Sequence, residues 1–436
     1  CKCNVFPARI INWQFEEGNV CRYYHVIGRR QIDFHFPKSV VNRFEKPRNL
    51  AAPVTSQNSE RRKPTVMESS PPSPAVEPVN FGRSLIVPSV QELAKECNEK
   101  LPPRYERPQI EPLVVSGDLD WTVPVIDLQK LASGDESSMD SDSELGNLHS
   151  ACKDWGFFQV VNHGVSITLL EELRVEVENL FQLPYEEKKR KQLWQQPDNH
   201  EGFGQLFVVS EEQKLDWNDM FYITTLPSHI RQNELFDKLP HKCRETVEAY
   251  SMEMRKLALK ILSHMSRALG MDVNEMEDLF TNGVQSIRMN YYPPCPEPNK
   301  TIGFTPHSDA DALTILYQLN ETEGLQIRKD GKWVPIKPLS NAFVVNVGDI
   351  MEVIVSNGVY RSIEHRAAVN STRERLSVAT FYSCKLDCTL GPARSLVGPR
   401  NPPAFQQVPV EDYFKEFFAR RLNGKSYLEF MRIVDK

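Results

Sequence analysis

Apolar positions recur along the chain with two different periods, and the change of period divides it. Val247, Tyr250, Met254, Leu257 and Ile261 fall at threes and fours, which predicts a core-facing helix over roughly Arg244 to Leu269. Ser166 is placed to cap a second long helix reaching Leu183, after which Pro184 opens a charged turn, YEEKKRK, read as a solvated face. A shorter helix follows Ser89, which stands in capping-box spacing with Glu92 and leaves Val90, Leu93 and Cys97 on one side. Another sets Leu145, Leu148, Cys152 and Trp155 in register, after an acidic, Ser-rich surface loop at 132–144. VPVIDL at 123–128 and FFQVVN at 157–162 read as short strands. Residues 102–122 read as loop, and 200–227 as mixed strands and loops rich in aromatic residues.

From Val284 onward the period falls to two. QSIRMNYY, ALTILYQL, GLQIR, KWVPI, AFVVNV, EVIVS, YRSIEHRAAVN and RLSVATFYS are all β-type runs, and Lys329-Asp330-Gly331-Lys332 is a hairpin signal. Such a series predicts an α+β fold: a double-stranded β-helix, or jelly roll, flanked by helices, with a ligand cavity at its mouth. From about Val410, VEDYFKEFFARRL returns to helical spacing.

Composition sharpens this picture mainly at the N-terminal end. Residues 1–66 carry 12 Lys and Arg against 5 Asp and Glu, while the remainder carries 40 against 53. The acidic body gives no support to nucleic-acid binding. The first methionine is Met67, so 1–66 is expected to be translated upstream sequence without a fold, and the Pro- and Ser-rich 67–84 to be disordered. The expected plan is then a mainly helical region at 85–283, a jelly-roll core at 284–390, and a C-terminal loop and helix at 391–436. No apolar run is long enough to span a bilayer. The nine cysteines form no CxxC pair and read as reduced thiols in an intracellular protein.

The candidate chemistry lies within SIRMNYYPPCPEPNKTIGFTPHSDADALTILYQ. His307 and Asp309 are separated by one residue, so on an extended strand both side chains reach one face. Alone the pair is a weak signal. His365, 56 positions beyond Asp309, supplies a third donor and completes a face of two imidazoles and one carboxylate, the donor set of non-haem Fe(II). Ten residues later, Arg375-Leu376-Ser377 again places a fork and a hydroxyl on one strand face, suited to holding a carboxylate in one orientation. Asn290 and Tyr292 share a face on an earlier strand. His163, at a strand end, reads as a structural histidine.

With those residues in place, the chain from about Phe81 to its C-terminus resembles the plant 2-oxoglutarate- and Fe(II)-dependent dioxygenases. The likeness is carried by PPRY, WGFFQVVNHG, MNYYPPCPEP, HSDADALTIL, VGDIMEVIVSNG, YRSIEHR and RERLSVATFY, and by SEEQKLDWNDMFY, which points to the senescence-related, codeine-demethylase and norcoclaurine-synthase-like branch. The resemblance implies that His307, Asp309 and His365 bind Fe(II). It implies that Arg375, Ser377 and Tyr292 hold the distal carboxylate of 2-oxoglutarate with Asn290 near its other end, and that Phe381 lines the substrate pocket. The implied reaction consumes O₂ and 2-oxoglutarate, releases succinate and CO₂, and hydroxylates, desaturates or O-demethylates a small plant metabolite, with ascorbate supporting activity. Ser383 stands where the anthocyanidin-synthase type has an acidic residue, which weakens a flavonoid reading. Two alternatives stay open at this point: an oxidase of the aminocyclopropane-carboxylate type that uses no 2-oxoglutarate, and a non-oxidative lyase. A monomer acting on a small molecule, with no nucleic-acid or membrane partner, in the cytoplasm or also the nucleus, is the remaining expectation.

Overall fold

The computed structural model describes residues 84–96, 100–111, 121–132, 139–197 and 199–433, together with the backbone of three strands between 13 and 37. Two compact units, 1–73 and 74–436, are distinguished. In the first, β1 (Trp13–Phe15), β2 (Val20–Ile27) and β3 (Arg30–Pro37) pair antiparallel in that order. These strands fall within 1–66, for which no fold was expected; VCRYYHVI and RQIDFHFP are rich in β-branched and aromatic residues and stand two residues apart, a hairpin spacing. The expected disorder at 67–84 lies, Ser84 apart, outside the described residues.

In the second unit the strands are β4 (Val125–Asp127), β5 (Phe157–Val161), β6 (Gly202–Gly204), β7 (Asp219–Leu226), β8 (Gln285–Tyr292), β9 (Phe304–His307), β10 (Leu313–Gln318), β11 (Leu325–Lys329), β12 (Lys332–Pro335), β13 (Phe343–Val347), β14 (His365–Ala367) and β15 (Arg375–Tyr382). They form an eight-stranded sheet in the order β4-β5-β13-β10-β15-β8-β7-β6 and a four-stranded sheet in the order β12-β11-β14-β9. The larger sheet therefore draws four strands from the region 85–283.

Alternation along its central strands decides what faces the interior of the β-helix. On β15, Leu376 and Val378 turn to the helices, while Arg375, Ser377, Ala379 and Phe381 line the cavity between the sheets. On β8, Ile287 and Met289 turn out, while Arg288, Asn290 and Tyr292 turn in. The register couples the two strands, setting Arg375 opposite Tyr292 and Ser377 opposite Asn290. The helices are α1 (Val90–Glu96), α2 (Leu128–Ala132), α3 (Met139–Ser150), α4 (Ile167–Gln182), α5 (Tyr185–Arg190), α6 (Asn233–Lys238), α7 (His241–Leu269), α8 (Val273–Phe280) and α9 (Val410–Phe418), and buried residues of α2, α3, α4, α6, α7, α8 and α9 share one core with the outward side chains of β8 and β15. The stripe expected on α7 is fully buried, and Ser166 caps α4 by accepting from the Leu169 amide at 3.4 Å.

Four local expectations are corrected. EVIVS is a π-helical turn, Met351–Val355, rather than a strand, since a short buried apolar run fits either form. The second half of the acidic loop is the first half of α3, where the Glu144 carboxylate accepts from the Asp127 amide at 2.6 Å. YEEKKR is the helix α5, and its Lys188 is buried: the ammonium donates to Gln91 Oε1 and Phe181 O and sits over the Phe203 ring. The box at Ser89 is half formed. The Glu92 amide donates to Ser89 Oγ at 3.3 Å, but the Glu92 side chain pairs with Lys95 instead of reaching back.

The other half of that cap comes from β7. Asp219 is buried and accepts from the Val90 amide (2.8 Å), the Gln91 amide (2.9 Å) and the Ser89 hydroxyl (2.6 Å). Asp219→Ala leaves these donors without a partner, and a loss of about 2 kcal/mol is expected from the urea midpoint. An unchanged midpoint would show that α1 is held by its apolar contacts alone.

Candidate active site

His307 closes β9 and His365 opens β14, and the two are paired directly across the smaller sheet, ring centroids 4.2 Å apart. Asp309 lies in the turn just beyond β9, not on the strand as the spacing suggested. It still comes back to the same point: Asp309 Oδ1 is 3.4 Å from His307 Nε2 and 3.6 Å from His365 Nε2. Among the described residues this is the one cluster of three donors suited to a metal, its ligand atoms all within 4.8 Å of one another and all three residues buried.

The outer atoms of these side chains are already engaged. His307 Nδ1 donates to Thr305 O at 2.8 Å, and His365 Nδ1 donates to Ile363 O at 3.2 Å. Each bond leaves the Nε2 lone pair directed at the cluster. Asp309 Oδ2 accepts from Thr314 Oγ1 at 2.6 Å and Asn346 Nδ2 at 2.8 Å, so Oδ1 is the oxygen left over. Thr314 and Asn346 are register partners on β10 and β13. Neither was marked by sequence reasoning, because their meeting depends on strand pairing across 32 positions of chain. Ser308 turns the other way and donates to Asp349 Oδ2 at 2.7 Å.

Electrostatics suit a cation here. Burial, with the neighbouring His307, pushes His365 down to about 4, so its imidazole is neutral near pH 7 and free to act as a donor. Burial works to raise Asp309, but His365, His307 and the Thr314 hydroxyl outweigh it and hold the carboxyl well below the usual carboxylate range.

Along the same cavity lies the second constellation. Arg375 is buried, its Nη1 3.4 Å from Ser377 Oγ and its Nη2 3.2 Å from Gln318 Oε1, with the guanidinium 5.1 Å from the Tyr292 ring centre. Asn290 Nδ2 reaches Ser377 Oγ at 3.4 Å. Arg375 Nε and Asn290 Oδ1 are buried with no protein partner. Gly324 makes the space: a β-carbon there would stand 2.7 Å from Arg375 Cδ and 2.9 Å from the Ala368 carbonyl oxygen. Phe381 lines this cavity and an adjoining one that includes Phe207, Tyr222, Asp311, Phe417 and Phe418. His163 is structural: Nδ1 accepts from the Val165 amide and Nε2 donates to Asn341 O.

Residues 283–383 match the 2OG-Fe(II) oxygenase superfamily, and residues 123–242 match the N-terminal region of the non-haem dioxygenase in morphine synthesis. Protein SRG1 of Arabidopsis thaliana is 50% identical over 355 residues, covering 80% of this chain and 97% of that one. The chain belongs to the 2-oxoglutarate- and Fe(II)-dependent oxygenases. Codeine O-demethylase of Papaver somniferum is similarly close, 49% identical over 359 residues, 81% of this chain and 98% of that one. The crystal structure of JOX2 in complex with 2OG, Fe and JA superimposes with a TM-score of 0.72 at 34% identity, covering 81% of this chain and all of that one. The protein is thus an oxidoreductase that uses iron and 2-oxoglutarate on a double-stranded β-helix. The residues present fit both groups: a mixed nitrogen and oxygen face with its outer atoms satisfied for the metal, and a buried, under-partnered guanidinium for a dicarboxylate. Among the described residues no helix is long and apolar enough to cross a membrane.

Proposed function

We propose that His307 Nε2, Asp309 Oδ1 and His365 Nε2 hold the iron, and that Arg375, Ser377 and Tyr292 hold the distal carboxylate of 2-oxoglutarate, with Asn290 near its other end. The observation that carries this reading is the engagement of every outer ligand atom, His307 Nδ1, His365 Nδ1 and Asp309 Oδ2, by another group of the chain. When bound, iron, 2-oxoglutarate and O₂ supply the oxidising chemistry, with succinate and CO₂ as products. The chain supplies placement. Thr314 and Asn346 fix which carboxylate oxygen of Asp309 faces the metal, and the two backbone carbonyls fix the imidazole tautomers. Arg375, packed against Tyr292 and Ser377, sets the depth to which the cosubstrate enters. Phe381 and the rings beside it keep water from the reacting carbon and hold the substrate C–H towards the metal. The substrate is a small, largely apolar plant metabolite, and whether it is hydroxylated, desaturated or O-demethylated follows from which C–H the cavity presents.

The test is aerobic incubation of the protein with Fe(II), ascorbate, 2-oxoglutarate and a plant extract, scoring succinate and products that have gained one oxygen, lost two hydrogens or lost one methylene. Succinate that rises with such a product supports the reading; products without 2-oxoglutarate consumption contradict it. A narrower test concerns Asp309. Thr314→Val removes the hydroxyl that holds Oδ2, and iron affinity is expected to fall by about tenfold to a hundredfold, measured by anaerobic equilibrium titration. Unchanged affinity would show that Asn346 alone orients the carboxylate.

A further inference from the structure

The segment that follows α9 runs from the wall of one cavity to the back of the metal cluster. Phe417, Phe418 and Leu422 line the cavity adjoining the cosubstrate site, where Phe418 stacks on Phe207 with ring planes within 1° of parallel. Two residues beyond Leu422 the chain passes β9. Gly424 bridges His307 in parallel, and its amide donates to Pro306 O at 3.2 Å. Gly424 takes φ +53°, and a β-carbon there would stand 3.0 Å from Glu364 Oε1, so only a bare backbone comes this close.

Lys425 then reaches in to two buried carboxylates. Its ammonium donates to Glu352 Oε2 and to Ser362 O (2.6 Å), and it stands 3.8 Å from Asp349 Oδ1. Each carboxylate supports a different part of the metal face. Asp349 Oδ2 accepts from the Ser308 hydroxyl at 2.7 Å, and the Asp349 amide donates to Asp309 O at 2.7 Å. Both bonds hold the turn that carries His307 and Asp309 from behind. Glu352 Oε2 accepts from the Ser362 amide at 2.7 Å, beside Ile363, whose carbonyl accepts from His365 Nδ1. A half-exposed Arg432 stands 3.8 Å from Glu352 Oε1, while Lys425 reaches both carboxylates. Taking that ammonium away leaves two buried acidic groups to repel one another across the supports of all three donors.

Resting on the site reading above, we propose that Lys425 is a positioning residue that ties the cavity wall on α9 to the metal face, so that docking of the C-terminal segment and binding of iron favour each other. Docking holds the donors where iron needs them. Iron, once bound, fixes the same donors and therefore holds the segment down, by the same factor in both directions.

The experiment measures amide hydrogen exchange of the segment 419–431 in the full chain, without O₂, with and without Fe(II), alongside iron affinity by equilibrium titration. In the native protein Fe(II) is expected to slow exchange in this segment at least about fivefold, and more than in α8, which takes no part in the network. Lys425→Met, which keeps most of the length without the charge, is expected to lower iron affinity by a similar factor and to abolish the slowing. Lys425→Arg restores both to within about twofold of native. If Lys425→Met does not fold, Glu352→Gln, which keeps an oxygen for the Ser362 amide, carries the same two expectations. Exchange indifferent to iron in the native protein, or a folded Lys425→Met or Glu352→Gln that binds iron as tightly as native, would overturn the proposal. A purely structural lysine would lower the urea midpoint and leave the iron-dependent slowing intact, which also overturns it. A native protein that takes up no iron defeats the site reading itself, whereas iron uptake without slowing defeats only the role of Lys425.

Discussion

His365→Ala is expected to lower iron affinity and iron-dependent succinate release by more than about a hundredfold while leaving the fold in place. Loss of a group that merely orients a ligand commonly costs tenfold to a hundredfold, and a ligand itself costs more. The imidazole is one of two nitrogen donors on the cluster, and no other described histidine or acidic residue joins that cluster to replace it. The fold is expected to survive because β14 keeps its pairing with β11 and β9 through the backbone, and because burial disfavours charging this imidazole, so its removal leaves no ion pair broken. Circular dichroism and the urea midpoint check the second half of the expectation. A variant that is folded, binds iron as tightly as the native protein and releases succinate would remove His365 from the site.

Arg375→Lys is expected to raise the KM for 2-oxoglutarate by about tenfold to a hundredfold, with iron affinity unchanged. The guanidinium contacts Ser377 and Gln318 through different nitrogens and still leaves Nε without a protein partner, whereas an ammonium is a single point of charge that cannot keep this fork. The variant should also lose discrimination between 2-oxoglutarate and 2-oxobutyrate, which lacks the distal carboxylate. Retained discrimination would place that carboxylate elsewhere. The same reasoning predicts a weaker cosubstrate for Gly324→Val, since the added side chain enters space taken by Arg375 Cδ.

Much of this site was legible in the sequence because strand alternation is local. Arg375 and Ser377, like Asn290 and Tyr292, are placed on one face by a period of two, and the register of β8 with β15 then brings the pairs together. His307 and His365 were legible as residue types but not as neighbours, for nothing local reports that β9 and β14 pair. Asp309 reaches the cluster from a turn, held there by Thr314 and Asn346, and those two could be found only by knowing that β10 lies beside β13. EVIVS failed for a different reason: three apolar residues in a row, bounded by Glu352 and Ser356, are too short a run to show a period. Lys188 in α5 and Asp219 in β7 were hidden because each bonds to the start of α1, a segment remote in sequence that no local pattern reports.

The most direct test of the assignment is anomalous diffraction at the iron edge from crystals grown without O₂ in Fe(II) and 2-oxoglutarate. One iron peak is expected within bonding distance of His307 Nε2, Asp309 Oδ1 and His365 Nε2, with the distal carboxylate of the cosubstrate on Arg375 and Ser377. An iron peak that touches fewer than all three donors, or a cosubstrate whose distal carboxylate lies away from Arg375, would contradict it.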